Sequence, residues 1–215
     1  MKGIFIVIEG IDGCGKSTQL KHLSKWLPIS GLMPDGAKLI TTREPGGTKL
    51  GNCIRELLLE DFKADSPEPL AELLLYAADR AQHVSQVILP ALNNGDWVIS
   101  DRFSSSTMAY QGFGRHLNKN IITKLEEIAT KGIKPNLTLL LDISITESIK
   151  RRRNKSQDRI ESEGARFLER VSYGFSSLAK GKKWIKISSN QKEELVSKAI
   201  EKELINFFNK KPLIE

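Results

Sequence analysis

The sequence predicts a doubly wound α/β domain built on a parallel sheet, and two observations carry that expectation. Five continuous apolar runs, at 4–10, 38–42, 97–101, 137–143 and 184–189, read as strands covered on both faces, as those of a buried parallel sheet are. Helix-like segments lie between and after them, near 16–27, 48–60, 67–92, 118–131, 144–153, 159–179 and 191–209, so crossovers should place helices on both faces of the sheet. Ligands of such domains gather at the carboxyl ends of the strands. No internal repeat, low-complexity tract or composition break divides the 215 residues, and one domain spanning 1–215 is expected.

The first strand, IFIVIEG, runs into Gly10-Ile11-Asp12-Gly13-Cys14-Gly15-Lys16-Ser17. This matches G-x-x-x-x-G-K-[ST] between a strand and a helix, the context that the pattern requires. Its glycines let the backbone curl so that N–H groups point inward, and the helix start adds partial positive charge. Residues 10–18, Thr18 included, should therefore cradle nucleotide phosphates. Lys16 should reach the outer ones, and the Ser17 hydroxyl should ligate Mg²⁺. No G-x-G-x-x-G is present, which disfavours a dinucleotide site.

The second strand leads into TREPGG (42–47), and the third ends at Asp101 and continues as DRFSSSTMAYQG (101–112). Asp101 is the natural acidic partner for Mg²⁺, through water. Arg43 and Arg102 suit bidentate contacts to a monophosphate, whose charge near a second phosphate chain needs cations to offset repulsion. Ser106, Thr107, Tyr110 and Gln111 offer hydrogen-bonding side chains for a base and sugar, though each alone is as easily structural. The helix at 67–92 opens with Ser66-Pro67 as cap and first turn and fades into NNG. At 100° per residue its core stripe reads Leu74, Ala77, Ala78, Ala81 and Ile88, with Glu72, Tyr76, Arg80 and His83 opposite. Tyr76 and Arg80 are then either ordinary surface residues or an aromatic plate and a donor for a nucleobase.

The chain has 33 Lys+Arg against 26 Asp+Glu, a net charge of +7, with its densest basic cluster, KRRRNK, at 150–155. Such a cluster is a solvated surface run, a nucleic-acid patch or a clamp on polyphosphate. Without an extended patch and stacking aromatics, nucleic-acid binding is not expected. No run reaches the roughly 18 apolar residues of a membrane span, and the N-terminal apolar run is too short for a signal peptide. A soluble, cytoplasmic protein without membrane association is expected. Cys14 and Cys53 lie far apart in unlike contexts and read as reduced thiols, Cys14 as a small filler in the loop.

A phosphate-binding loop alone does not separate kinases from GTPases or motor ATPases. The guanine-reading N-K-x-D of a GTPase is absent; NKSQD at 154–158 is one residue too long. The ordered set EGIDGCGKSTQ, TREPGGT, LLLYAADRAQHV, SDRFSSSTMAYQG, LTLLLDI and DRIE resembles the thymidylate kinases of bacterial type, with lid arginines, over nearly the whole chain. The resemblance implies a three-layer αβα nucleotide kinase fold with five parallel strands. It also implies γ-phosphoryl transfer from ATP to thymidine monophosphate (dTMP) with Mg²⁺, and a homodimer. It places Asp12 near the 3′-hydroxyl and the reacting phosphates, Arg43 and Arg102 on the acceptor phosphate, and Tyr76 on the thymine face where a Phe is common. Arg80 would bond a thymine carbonyl, Thr107 and Gln111 would lie along the base, and Tyr110 near the sugar. Gly13 stands where other members carry a loop Arg, so the lid, at about 150–160, would supply the charge. Arg151 and Arg153 match its pattern, Lys155 replaces a third Arg, Arg159 is a further candidate, and adenine would lie between the lid and the loop after WIKISS. The alternatives are a kinase for another pyrimidine nucleotide and a module that binds nucleotide without transfer.

Overall fold

The computed structural model describes residues 3–60, 66–153 and 159–210. Lys155, the NKSQD run and the middle of the expected lid lie outside them. Five strands, β1 (Phe5–Glu9), β2 (Leu39–Arg43), β3 (Trp97–Asp101), β4 (Leu137–Asp142) and β5 (Trp184–Ser188), form one all-parallel sheet in the order β2-β3-β1-β4-β5. β1 is central, and its side chains alternate between two cores. Ile6 and Ile8 join the larger core on one face, with Leu23, Phe175 and Ile200, while Phe5 and Val7 join the smaller one with Val84, Ile88 and Phe103. The three inner strands are buried on both faces, but β2 and β5 are partly exposed because they are the sheet's edges.

The helices are α1 (Lys16–Trp26), α2 (Lys49–Leu59), α3 (Pro69–His83), α4 (Leu89–Asn93), α5 (Ser104–Thr107), α6 (Lys119–Thr130), α7 (Ile145–Arg152), α8 (Ala165–Leu178) and α9 (Glu193–Lys210). Three expectations change. The long helix begins at Pro69, not at Ser66-Pro67, because a residue before proline is pushed out of the helical region, and Glu68 is accordingly extended at ψ 148. It reaches α4 through a π-helical turn, Val84–Ile88, ahead of Pro90.

The stripe reading of this helix holds only in part: Ala77 and Ile88 are buried as expected, but other positions are not as the stripe has them. Glu72, Arg80 and His83 are buried, whereas Leu74 is 49% exposed and Ala78 is exposed. Charged groups can occupy a core face when each finds a partner, and these do: Arg80 donates to Glu44 at 2.7 Å and to Glu126, and His83 Nδ1 lies 2.8 Å from Glu44. Finally, 104–114 is helical, as α5 followed by the π-helical turn Met108–Gly114. Its serines and glycines show no apolar periodicity. What holds it is packing of Ala109 and Tyr110 in the larger core and the anchoring of its start by Glu9.

Candidate active site

In the parallel register Ile8 and Arg43 both lie beside Asp101, so the loops after β1, β2 and β3 leave the sheet at one level. Gly10, Gly13 and Gly15 of the first loop have φ 142, 80 and 98, values open to glycine. At Gly13 a Cβ would meet Ser148 O at 2.9 Å and Arg152 Cγ at 3.3 Å, because α7 packs over it. Ser148 Oγ also donates to Asp12 O at 2.7 Å. The place of a loop Arg side chain is thus taken by α7. Lys16 Nζ donates to Gly10 O and Ile11 O, both at 3.1 Å, and Cys14 is fully buried, where burial pushes its thiol up and suits a filler role.

Ser17 Oγ donates to Asp101 Oδ2 at 3.0 Å. Two hard oxygen donors therefore meet beside the cradle, a set that fits Mg²⁺ sharing its remaining positions with water and phosphate. Among the described residues no group of three or more His, Cys, Asp or Glu could hold a metal alone.

Asp12, Arg102 and Tyr110 form a closed cluster. Arg102 Nη2 donates to Asp12 Oδ1 at 2.5 Å and to Tyr110 Oη at 3.1 Å, and Tyr110 Oη donates to Asp12 Oδ2 at 2.8 Å. Burial alone would raise the Asp12 carboxyl, but the charges of Arg102 and Lys16 outweigh it and hold the group well below the usual carboxylate range. Arg102 has φ 72, a left-handed backbone that costs about 1–2 kcal/mol in a non-glycine residue. Its Nη1 donations to Gly10 O and Ser106 Oγ, both at 3.0 Å, hold it there.

Two cavities open from this cluster. The larger runs along the phosphate loop, from Gly13 to Gln19, past Arg43, Asp101, Arg151 and Arg152 to Ser189, Gln191 and Val196. The smaller is lined by Pro45, Leu59, Tyr76, Arg80, Ser106, Thr107, Tyr110, Gln111 and Ile160, a mixture of apolar, aromatic and hydrogen-bonding side chains of the kind that holds a nucleoside. Asp12, Glu44, Arg55 and Arg102 line both. Arg80 Nη1 donates to Thr107 Oγ1 at 2.9 Å, which fixes two of the residues expected along the base.

At the lid, Arg151 Nη2 donates to Ser189 O at 2.9 Å and so joins α7 to the loop after β5. Arg153 caps α7, is exposed and lines neither cavity; Arg152, one residue earlier, is buried against Gly13 and lines the larger one. Arg159 is buried and bonded to Leu58 O and Glu72 rather than aimed at the phosphates. The sequence reading passed over Arg55 and Arg152. Arg55 lies on α2 outside every sequence motif, and the face that Arg152 presents depends on where α7 begins.

A family model described as thymidylate kinase matches residues 8–200. A thymidylate kinase of Prochlorococcus marinus is 68% identical over 97% of this chain and 95% of its own length. One of Parasynechococcus marenigrum is 59% identical over 96% and 99%. The crystal structure of thymidylate kinase from Ehrlichia chaffeensis superposes with a TM-score of 0.75 at 31% identity, covering 95% of this chain and all of that one. Matched over nearly its whole length by that family model and by these relatives, the chain belongs to the thymidylate kinase family.

Proposed function

We propose that this chain, as a single domain working in the cytoplasm, transfers the γ-phosphoryl group of ATP to dTMP, giving the diphosphate on the route to dTTP. The observation that carries this reading is that the cavity along the phosphate loop and the smaller cavity lined by Tyr76, Arg80 and Gln111 meet at Asp12, Arg55 and Arg102. A γ-phosphate and an acceptor phosphate held on either side of that junction face each other for in-line transfer. The acceptor oxygen is already nucleophilic, so the chain's work is positioning and charge stabilisation. Arg43 and Arg102 would hold the acceptor phosphate, Lys16 and the loop N–H groups of residues 10–18 the donor phosphates, and Arg151 and Arg152 the outer face of the donor. Tyr76 would stack on thymine, Arg80 donate to a carbonyl, Thr107 and Gln111 line the base edge, and Ser106, Tyr110 and Asp12 the sugar side. Mg²⁺, held by Ser17 and through water by Asp101, would supply further charge on the phosphate oxygens.

A homodimer accompanies this reading. Leu50 and Leu57 of α2, Leu70 and Leu74 of α3, and Ile121 and Ile128 of α6 form an exposed apolar surface on adjacent helices, suited to a second copy. Coupled ADP-release assays across dTMP, deoxyuridylate, cytidylate and guanylate test the substrate. Strong preference for dTMP is expected, and K16A should lower kcat at least about 10²-fold by removing charge used in transfer. Turnover unchanged in K16A, or a preference for another base, would overturn the reading.

A further inference from the structure

We propose that Glu72 sets the base preference of the acceptor cavity by fixing which end of the Gln111 carboxamide is available to a ligand. The inference rests on the reading of that cavity as a nucleoside monophosphate site. Glu72 lies on the inner face of α3 with 0% exposure and accepts four N–H groups. Gln111 Nε2 donates to Oε1 at 2.7 Å, Arg115 Nε to Oε1 at 2.7 Å and Arg115 Nη2 to Oε2 at 2.9 Å. Arg159 Nη2 also donates to Oε2. Arg159 is itself tied to the end of α2, with Nε donating to Leu58 O at 3.1 Å. Two guanidiniums reaching in from separate segments hold the carboxylate in place.

A carboxylate in this setting only accepts, so it can bond the nitrogen of the carboxamide and not its oxygen. Gln111 lines the smaller cavity and is 1% exposed, and the end left for a ligand is the acceptor Oε1. Turning the amide over would set that oxygen against the carboxylate and break the bond from Nε2. Arg80, the neighbouring charged group on the cavity wall, has donors only. At Gln111 and Arg80 the wall therefore presents an acceptor and a donor, the complement of a base with a ring N–H beside a carbonyl. Thymine and uracil offer that pair. Cytosine offers the reverse, a ring nitrogen that accepts and an amino group that donates, and would leave buried polar groups unpaired on both sides. Glu72 touches no ligand in this arrangement and is a positioning residue.

The test is kcat/KM for dTMP and for deoxycytidylate in the wild type and E72Q. A Gln at position 72 can donate as well as accept, so either end of the Gln111 carboxamide can face it. The wild type should prefer dTMP by about 10³-fold or more. E72Q should lose at least tenfold of that preference while KM for ATP changes less than twofold. If removal of the charge between Arg115 and Arg159 prevents folding, E72Q/R115M, which withdraws a positive charge as well, carries the same expectation. A purely structural role would lower both activities together and leave their ratio unchanged, and that result, with wild-type preference intact, overturns the role of Glu72 alone. A wild type without preference for dTMP overturns the reading of the cavity on which the inference rests.

Discussion

Glu9 ends β1 without solvent exposure, directly beneath the phosphate loop. Its Oε1 accepts Phe103 N at 3.1 Å and Ser106 N at 3.2 Å, and its Oε2 accepts Ser106 Oγ at 2.6 Å. Burial pushes the carboxyl from its ordinary 4.5 up to about 7, in spite of these donors and the charge of Arg102. Because the folded value is raised, the protonated form favours folding. The associated stability is fully present below pH 4.5 and is lost as pH rises through 7, a change of about 3 kcal/mol. E9Q lacks this titration, yet it can keep an oxygen toward the two N–H groups and offer its amide nitrogen to the Ser106 hydroxyl. The Tm of E9Q relative to wild type should therefore rise by several degrees between about pH 5 and pH 8. A constant difference across that interval would mean that Glu9 does not titrate there. The G-x-x-x-x-G-K-[ST] residues were legible in sequence because the chemistry is local, in consecutive backbone groups. Glu9 was not, because its partners lie more than ninety residues away and the strand run conceals one buried acid.

On the scale of elements, helix register explains both agreement and difference. α7 starts at Ile145, capped by Ser144 Oγ at Glu147 N, so Ser148 and Arg152 stand one turn apart on the face against the phosphate loop. Arg153 stands about 100° away and is exposed. R152A should lower kcat by about 10²-fold with a smaller change in KM for dTMP, and R153A should lower it less, since only the former removes charge from the donor cavity. Steady-state kinetics of the two variants decide this, and the reverse order would assign the charge used in transfer to Arg153 rather than Arg152. The pattern of basic residues was visible in sequence. Which of three successive arginines faces inward was not, because that depends on where the helix begins. The same limit affected α3, where Leu74 and Ala78 look like core until Glu44 and Glu126, distant in sequence, supply partners for Arg80.

For the whole molecule, the two faces of α3 have a consequence beyond its own packing. Its inner face carries Glu72, Tyr76 and Arg80 into or beside the acceptor cavity, and its outer face gives Leu70 and Leu74 to the apolar surface shared with α2 and α6. An outer face that leaves Leu70 and Leu74 open to solvent in the single chain is consistent with that face being covered in the assembled state. A two-fold contact uses the same surface on both copies, so one substitution there acts twice. Burial of a leucine side chain is worth about 1.5–3 kcal/mol, and a glutamate in its place adds the cost of a desolvated charge. L74E should therefore shift the protein from dimer to monomer in sedimentation velocity. Its circular dichroism should match the wild type, because Leu74 is already half exposed in the single chain. The monomer should also show a raised KM for dTMP with a smaller change in KM for ATP, since α3 backs only the acceptor cavity. A dimer that persists in L74E, or a wild type that sediments as a monomer, would remove this surface from the assembly.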